Sequence, residues 1–180
     1  MKRNIFNTVM RKKLGRNTMD LRHWHTTSFK ISQLVPTFNQ LALPGDYWSI
    51  QLQQFARMPA LKFPLYHAVS ITTHFFSAPF RIVWPNWDNF MTGKSTHVVP
   101  TITNLSGDIT NNSLGNYMDL SPGINSDTIK ITAFDIAIHN KIFDDYYRSD
   151  ALGTETFVSL SDGDNSANYA GYLAAAQIGR

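Results

Sequence analysis

The chain of 180 residues contains no cysteine and a single glutamate, Glu155. Without thiols there is no disulfide framework, no thiolate nucleophile and no cysteine-ligated zinc. Charge is sparse, with Asp, Glu, Lys and Arg at 16%. No apolar run reaches 18 residues, so no transmembrane helix is expected. The opening MKRNIFNTVMRKKLGR is basic but has no apolar centre of the kind a secretory signal carries. Its spacing fits a basic amphipathic helix, which keeps an organelle-targeting or membrane-surface reading open. There is no phosphate-cradling glycine loop, nucleophile elbow, zinc-deaminase motif or internal repeat.

What the chain does have is apolar and aromatic mass, 43% hydrophobic and 13% aromatic residues. That suffices for one domain with a buried core and argues against disorder throughout. Few charges combined with many rings also fit a surface that other subunits cover. The net charge of +3 hides an asymmetry. Residues 1–30 hold Lys2, Arg3, Arg11, Lys12, Lys13, Arg16, Arg22 and Lys30, half of the 16 basic residues, against Asp20 alone. A basic arm of this kind suits nucleic-acid phosphates, because each contact releases counterions. The competing reading is a solvated tail.

Along the chain, residues 1–20 read as that arm. Pro44-Gly45-Asp46 is a turn signal. In DYWSIQLQQF, Trp48, Ile50 and Leu52 alternate with Ser49, Gln51 and Gln53, which predicts a half-buried antiparallel strand. Pro59 and Pro64 mark a connection. LYHAVSITTHFF, residues 65–76, alternates again, with Leu65, Val69, Ile71 and Phe75 on one parity, and predicts a second strand. HFFSAPFRIVWPNWDNF, residues 74–90, holds four Phe and two Trp around Pro79 and Pro85. Its prolines argue against a helix, and its rings are too apolar to lie bare in water. Residues 92–128 read as loops with one helical turn near Leu114–Leu120. TAFDIAIHNKIFDDYYRSD predicts the one substantial helix. Phe134, Ile138, Ile142 and Tyr146 form its stripe, and Thr132 with Asp135 resembles a capping box. Residues 151–180 are rich in Gly, Ser, Ala and Asn.

The candidate chemistry is thin. His23-x-His25 would place two ligands on one strand face, but no glutamate follows, and a metal needs three or four placed ligands. His67 and His74 fall on opposite parities, and His97 and His139 have no spaced partner. SDGDNSAN, residues 161–168, fails the calcium-loop pattern at its sixth and twelfth positions, occupied by Ala167 and Leu173. It reads better as an Asp/Asn-rich turn. Asp144, Asp145 and Asp150 beside Arg148 read as a solvated face or ion pairs. No catalytic, cofactor or metal constellation emerges, and the chain is expected not to be an enzyme and to need no cofactor.

Five blocks in order carry a resemblance. NTMDLRHWHTTSF, LVPTFNQLALPGDYWSI, the Pro-x-Arg-x-x-Trp segment of residues 79–84, SLGNYMDL and AFDIAIHNKIFDDYYRSD together resemble the N-terminal portion of the major capsid protein of microviruses. These are small icosahedral phages with single-stranded DNA. The blocks run over residues 17–150. Arg22 stands where the family usually has Ser, and Phe134-Asp135 stands where it has Arg-Ala.

The resemblance implies a mainly β fold: the first strands of an antiparallel viral jelly-roll β-sandwich with long loops and one helical insertion. The expected division is a basic arm (1–20), strands and loops (21–130), a helix (131–150) and an insertion or truncated tail (151–180). It implies a structural protein that self-assembles through pentamers into an icosahedral shell around single-stranded DNA. Other virion proteins are expected partners, membrane is not, and assembly is expected in the host cytoplasm. Lys2, Arg3, Arg11, Lys12, Lys13 and Arg16 are the candidates to face the genome. Phe80, Trp84, Trp87 and Phe90 are the candidates for subunit packing, with the chain's own core as the competing role. Two other function classes remain: a single-stranded nucleic-acid binding module, and a ligand-binding β-sandwich with a pocket lined by Trp84 and Trp87.

Overall fold

The computed structural model describes residues 15–94, 96–103, 109–121 and 130–174. Its regular elements all lie beyond residue 79. They are α1 (Phe80–Val83), α2 (Trp87–Thr92), β1 (Thr101–Ile102), α3 (Leu114–Tyr117), β2 (Ile131–Thr132), α4 (Phe134–Ile142) and α5 (Ser166–Ala174).

The expectation that Pro79 and Pro85 exclude helix is corrected. Pro79 is the N-cap of α1, in extended conformation, so its missing N–H falls where a helix leaves donors unused anyway. Pro85 separates α1 from α2. Gly93 ends α2 at φ 65°, a left-handed cap that only glycine adopts without a Cβ penalty. The two prolines therefore bracket short helices rather than forbid them.

The small sheet pairs β1 with β2 antiparallel, Thr101 opposite Thr132 and Ile102 opposite Ile131. A third segment joins from the other side. Thr101 N donates to Gly163 O at 2.8 Å and Asn165 N donates to Thr101 O at 2.8 Å. Asn165 is fully enclosed there, and its side-chain amide donates to Ser161 O and Gly163 O at 2.8 and 3.0 Å. The Asp/Asn-rich turn expected at 161–168 thus forms, and α5 follows it. That helix was not expected, because glycine and serine mask its Tyr169–Tyr172 face.

The helical turn expected near Leu114–Leu120 is α3, capped by Ser113 Oγ accepting from Asn116 N at 3.4 Å. The main helix is also present, but it starts and faces differently. Thr132 lies in β2, Ala133 is the N-cap, and no side chain caps the helix, so the proposed Thr132–Asp135 box is not formed. The buried positions are Ala133, Phe134, Ile136, Ala137, His139 and Asn140, whereas Tyr146 of the expected stripe is 69% exposed. Ala133 and Ala137 are fully enclosed, and Phe134 meets the rings of Phe80 and Trp84. The α-helix then gives way at Phe143–Tyr147 to one π-helical turn closed by Arg148 N donating to Phe143 O at 2.8 Å. That turn shifts the phase, so Tyr146 leaves the line begun at Phe134.

The core contains Val83, Trp84, Ile102, Ile109, Leu114, Ala133, Phe134, Ile136, Ala137, Leu160 and Tyr169. It is drawn entirely from residues 83–169. None of residues 15–79 is buried. The strands expected at 46–55 and 65–76 have no ladder partner among the described residues. Two-residue alternation specifies which face a strand would bury, but the backbone becomes a ladder only beside a second strand.

Candidate functional site

The rings of the Pro-bounded segment converge on α4. Phe80 stacks on Phe134 with centroids 4.3 Å apart, and Phe80 and Trp87 meet edge-on at 5.0 Å. Trp84 lies 5.3 Å from Phe90 and 5.8 Å from Phe134. The four candidate packing residues therefore do assemble, around the chain's own helix. Trp84 has no exposed surface, so within this structure it is a core residue with nothing to offer a neighbour. Phe80 and Trp87 are half-buried, and Phe90 keeps an exposed edge of 36%.

One carboxylate ties this cluster to the rest of the fold. Asp162 Oδ1 accepts from Trp84 Nε1 at 2.9 Å and from Asn86 Nδ2 at 3.1 Å. Its Oδ2 lies 2.5 Å from His97 Nδ1. The hydrogen bond from His97 holds the Asp162 carboxyl below its usual range, and the Asn86 and Trp84 bonds add to this against the opposing effect of burial. An ionised carboxylate only accepts, so His97 carries the proton on Nδ1. His97 thus has a partner 65 residues away that sequence spacing could not show.

A second carboxylate does the same at the other end of α4. Asp144 accepts from Thr156 N at 2.9 Å, Thr156 Oγ1 at 3.0 Å and Phe157 N at 2.6 Å. Arg148 Nε sits 3.4 Å from it, and the Asp144 side chain is only 7% exposed. Arg148 also reaches Asp150 at 2.8 Å and Glu155 at 3.8 Å. The ion-pair reading of this cluster holds. The solvated-face reading fails for Asp144, whose role is to fasten residues 156–157 to the π-helical turn.

The histidines do not gather. His23 Nδ1 is 3.0 Å from Leu21 O and its ring stacks on Phe38, whereas His25 Nδ1 is 3.9 Å from Asp119. His74 bonds the Tyr147 hydroxyl and stacks on that ring. Among the described residues no group of three His, Cys, Asp or Glu could hold a metal. Among them, too, no helix is long and apolar enough to cross a membrane.

Among the described residues, the segment before residue 80 is fastened to the rest of the chain near both of its ends. Near its start, the Tyr117 hydroxyl donates to Ser28 O at 3.0 Å, and Ser28 Oγ donates to Asn112 Oδ1 at 3.0 Å. Near its end, His74 meets Tyr147 and Phe76 packs on Tyr146 at 4.9 Å. Between these anchors lies an exposed apolar run that includes Tyr47, Ile50, Leu52, Phe55, Phe63, Leu65, Val69 and Ile71. This run is the feature that sets the molecule apart from an ordinary soluble domain, since large contiguous apolar patches mark interaction surfaces. Of the candidate genome-facing residues, Arg16 is exposed, and Lys2, Arg3, Arg11, Lys12 and Lys13 lie outside the described residues.

The sequence pattern of the family described as Capsid protein (F protein) matches residues 7–178. The chain belongs to that family. It is 29% identical over 174 residues to the capsid protein VP1 of Chlamydia phage 1, covering 90% of this chain and 29% of the relative. To the capsid protein VP1 of Bdellovibrio phage phiMH2K it is 28% identical over 149 residues, 79% of this chain and 28% of the relative. A similar protein of Spiroplasma virus 4 matches at 22% over 166 residues. The microvirus capsid resemblance carried by the five motif blocks is thereby borne out. The chain spans under a third of the length of these curated relatives. The exposed apolar run thus lies within the part of the chain that matches the Capsid protein (F protein) family.

Proposed function

We propose that the chain is shell-forming sequence of a structural, non-catalytic major capsid protein of a small phage. Its destination is the virion, it assembles through pentamers into an icosahedral capsid, and it encloses single-stranded DNA with other virion proteins. Assembly takes place in the host cytoplasm. The observation that carries this reading is the family match over residues 7–178. The exposed run between the Ser28 and His74 anchors supports it, because such a surface is stable in water only when covered. On this reading residues 46–55 and 65–76 are jelly-roll strands awaiting neighbours, and their alternation is the pattern of a sandwich strand with one wet face.

Of the other function classes, a sandwich binding a ligand between Trp84 and Trp87 is disfavoured, since Trp84 is wholly enclosed. A nucleic-acid binding module that never assembles remains the rival, and shape separates the two. Negative-stain microscopy and size-exclusion chromatography of the longest natural form should show pentamers or shells. A monomer that binds DNA without assembling would overturn the capsid proposal.

A further inference from the structure

The rim formed by Trp24 and α3 joins an exposed ring to a cleft. Trp24 is 99% exposed, on a chain whose other three tryptophans are packed or half-packed. An indole held wholly in water loses its apolar contacts, so its position calls for an occupant. Beside it opens a cleft of about 370 Å³ whose lining includes His25, Thr26, Thr27, Asn116, Asp119 and Leu120. Apart from Trp24 and Leu120 the lining is polar: amide, hydroxyl, imidazole and carboxylate groups, with Asp119 largely exposed. Asp119 is held at φ 64°, in the left-handed region, where its turn after α3 directs it toward His25.

A flat apolar face beside a set of hydrogen-bonding groups suits an unpaired nucleobase. Its ring stacks on an aromatic face, and its amino and imino groups seek acceptors such as a carboxylate or amide oxygen. A protein partner anchored on the indole would instead favour an apolar pocket floor. The charge of the neighbourhood agrees. Residues 1–30 carry eight basic groups against one acid, and Arg16 and Lys30 on either side of Trp24 are exposed. Asp20 and Arg22 cancel each other, joined at 2.5–3.0 Å, so the flanking positive charge is not drawn into the cleft itself. Phosphates would be held by the flanks and the base by the cleft.

We propose that Trp24 and the adjoining cleft form a base-stacking subsite for single-stranded DNA, with Asp119 and Asn116 meeting the base edge. This rests on the genome-binding part of the capsid reading and names its contact. The test uses the full chain and a fluorescent oligothymidylate, with anisotropy measured across a salt series. The wild type should bind with strong salt dependence. Trp24→Ala should weaken binding about tenfold at every salt concentration, leaving the slope unchanged, and Trp24→Phe should restore most of it. An abasic oligomer should bind the wild type as weakly as the normal oligomer binds Trp24→Ala. Because Trp24 packs on nothing, the alanine variant should keep the wild-type unfolding midpoint. Salt-dependent binding that is equal in wild type and Trp24→Ala would overturn the subsite and leave genome binding standing. Equal DNA affinity with a changed oligomeric state would overturn it in favour of a protein contact. Absence of any salt-dependent binding would overturn both readings.

Discussion

Asp162 shows how much a single side chain can decide here. It collects the indole N–H of Trp84, the amide of Asn86 and the ring of His97, groups 78, 76 and 65 residues distant. Replacing it with Ala leaves the buried Trp84 N–H without its acceptor. The expected loss is about 1–3 kcal/mol, read as a lower denaturant midpoint with an unchanged slope. Asp119→Ala, at an exposed carboxylate, should leave stability unchanged. His139 supplies a pH dependence. Burial pushes its pKa down to about 4, with the Asn140 side chain opposing only in part. The unfolded histidine takes up a proton near pH 6.5, and the folded one does not. Stability from this residue is therefore complete above about pH 6.5 and falls on acidification toward pH 4, by up to about 3 kcal/mol. Urea titrations between pH 7.5 and 4.5 should show the decline, and His139→Gln should flatten it. Asp162 acts in the same direction at lower pH, since its depressed carboxyl loses its contribution only as pH falls through that lowered value.

At the scale of elements, α4 and its π-helical turn act as the post against which the other pieces lean. Phe134 receives the rings of α1 and α2, and Asp144 clamps the backbone of Thr156 and Phe157. Asp144→Ala removes three donors' acceptor and the most enclosed of the anions around Arg148, so a loss of about 3 kcal/mol is expected. Hydrogen exchange gives the sharper readout. The Thr156 and Phe157 amides should exchange much faster in the variant, whereas amides of α3 should not change. The helix was legible because its apolar residues recur, but its buried face was not. The stripe of Phe134, Ile138, Ile142 and Tyr146 weighs size alone, while the packed face includes the small Ala133 and Ala137, both fully enclosed. α1 and α2 were hidden by prolines that sit at their boundaries. α5 was hidden by a glycine- and serine-containing composition, and the structure docks it on the core through Tyr169 and Tyr172.

Over the whole molecule, two parts differ in how they meet water. The core is drawn from described residues between 83 and 169, whereas residues 15–79 are tied down at Ser28 and His74 and stay largely exposed between. Apolar side chains in that state seek further contacts, and unpaired strand sequence is a route to aggregation. Residues 1–180 produced alone are expected to self-associate and to be poorly soluble. Light scattering across a concentration series should show mass rising with concentration. A monodisperse monomer with a sharp thermal transition would contradict this.

The sequence by itself determined the family, through five motif blocks in the right order, and it determined the helix at 134–147 and the turn at 161–168. These are local matters, settled by neighbours a few positions apart. The tertiary structure alone decided that Trp84 is enclosed in this chain's own core, that Asp162 and His97 are partners, and that Asp144 is enclosed. It also decided that the alternating segments 46–55 and 65–76 stand without ladders among the described residues. Each of these depends on which distant segment arrives alongside, and no spacing along the chain encodes that arrival.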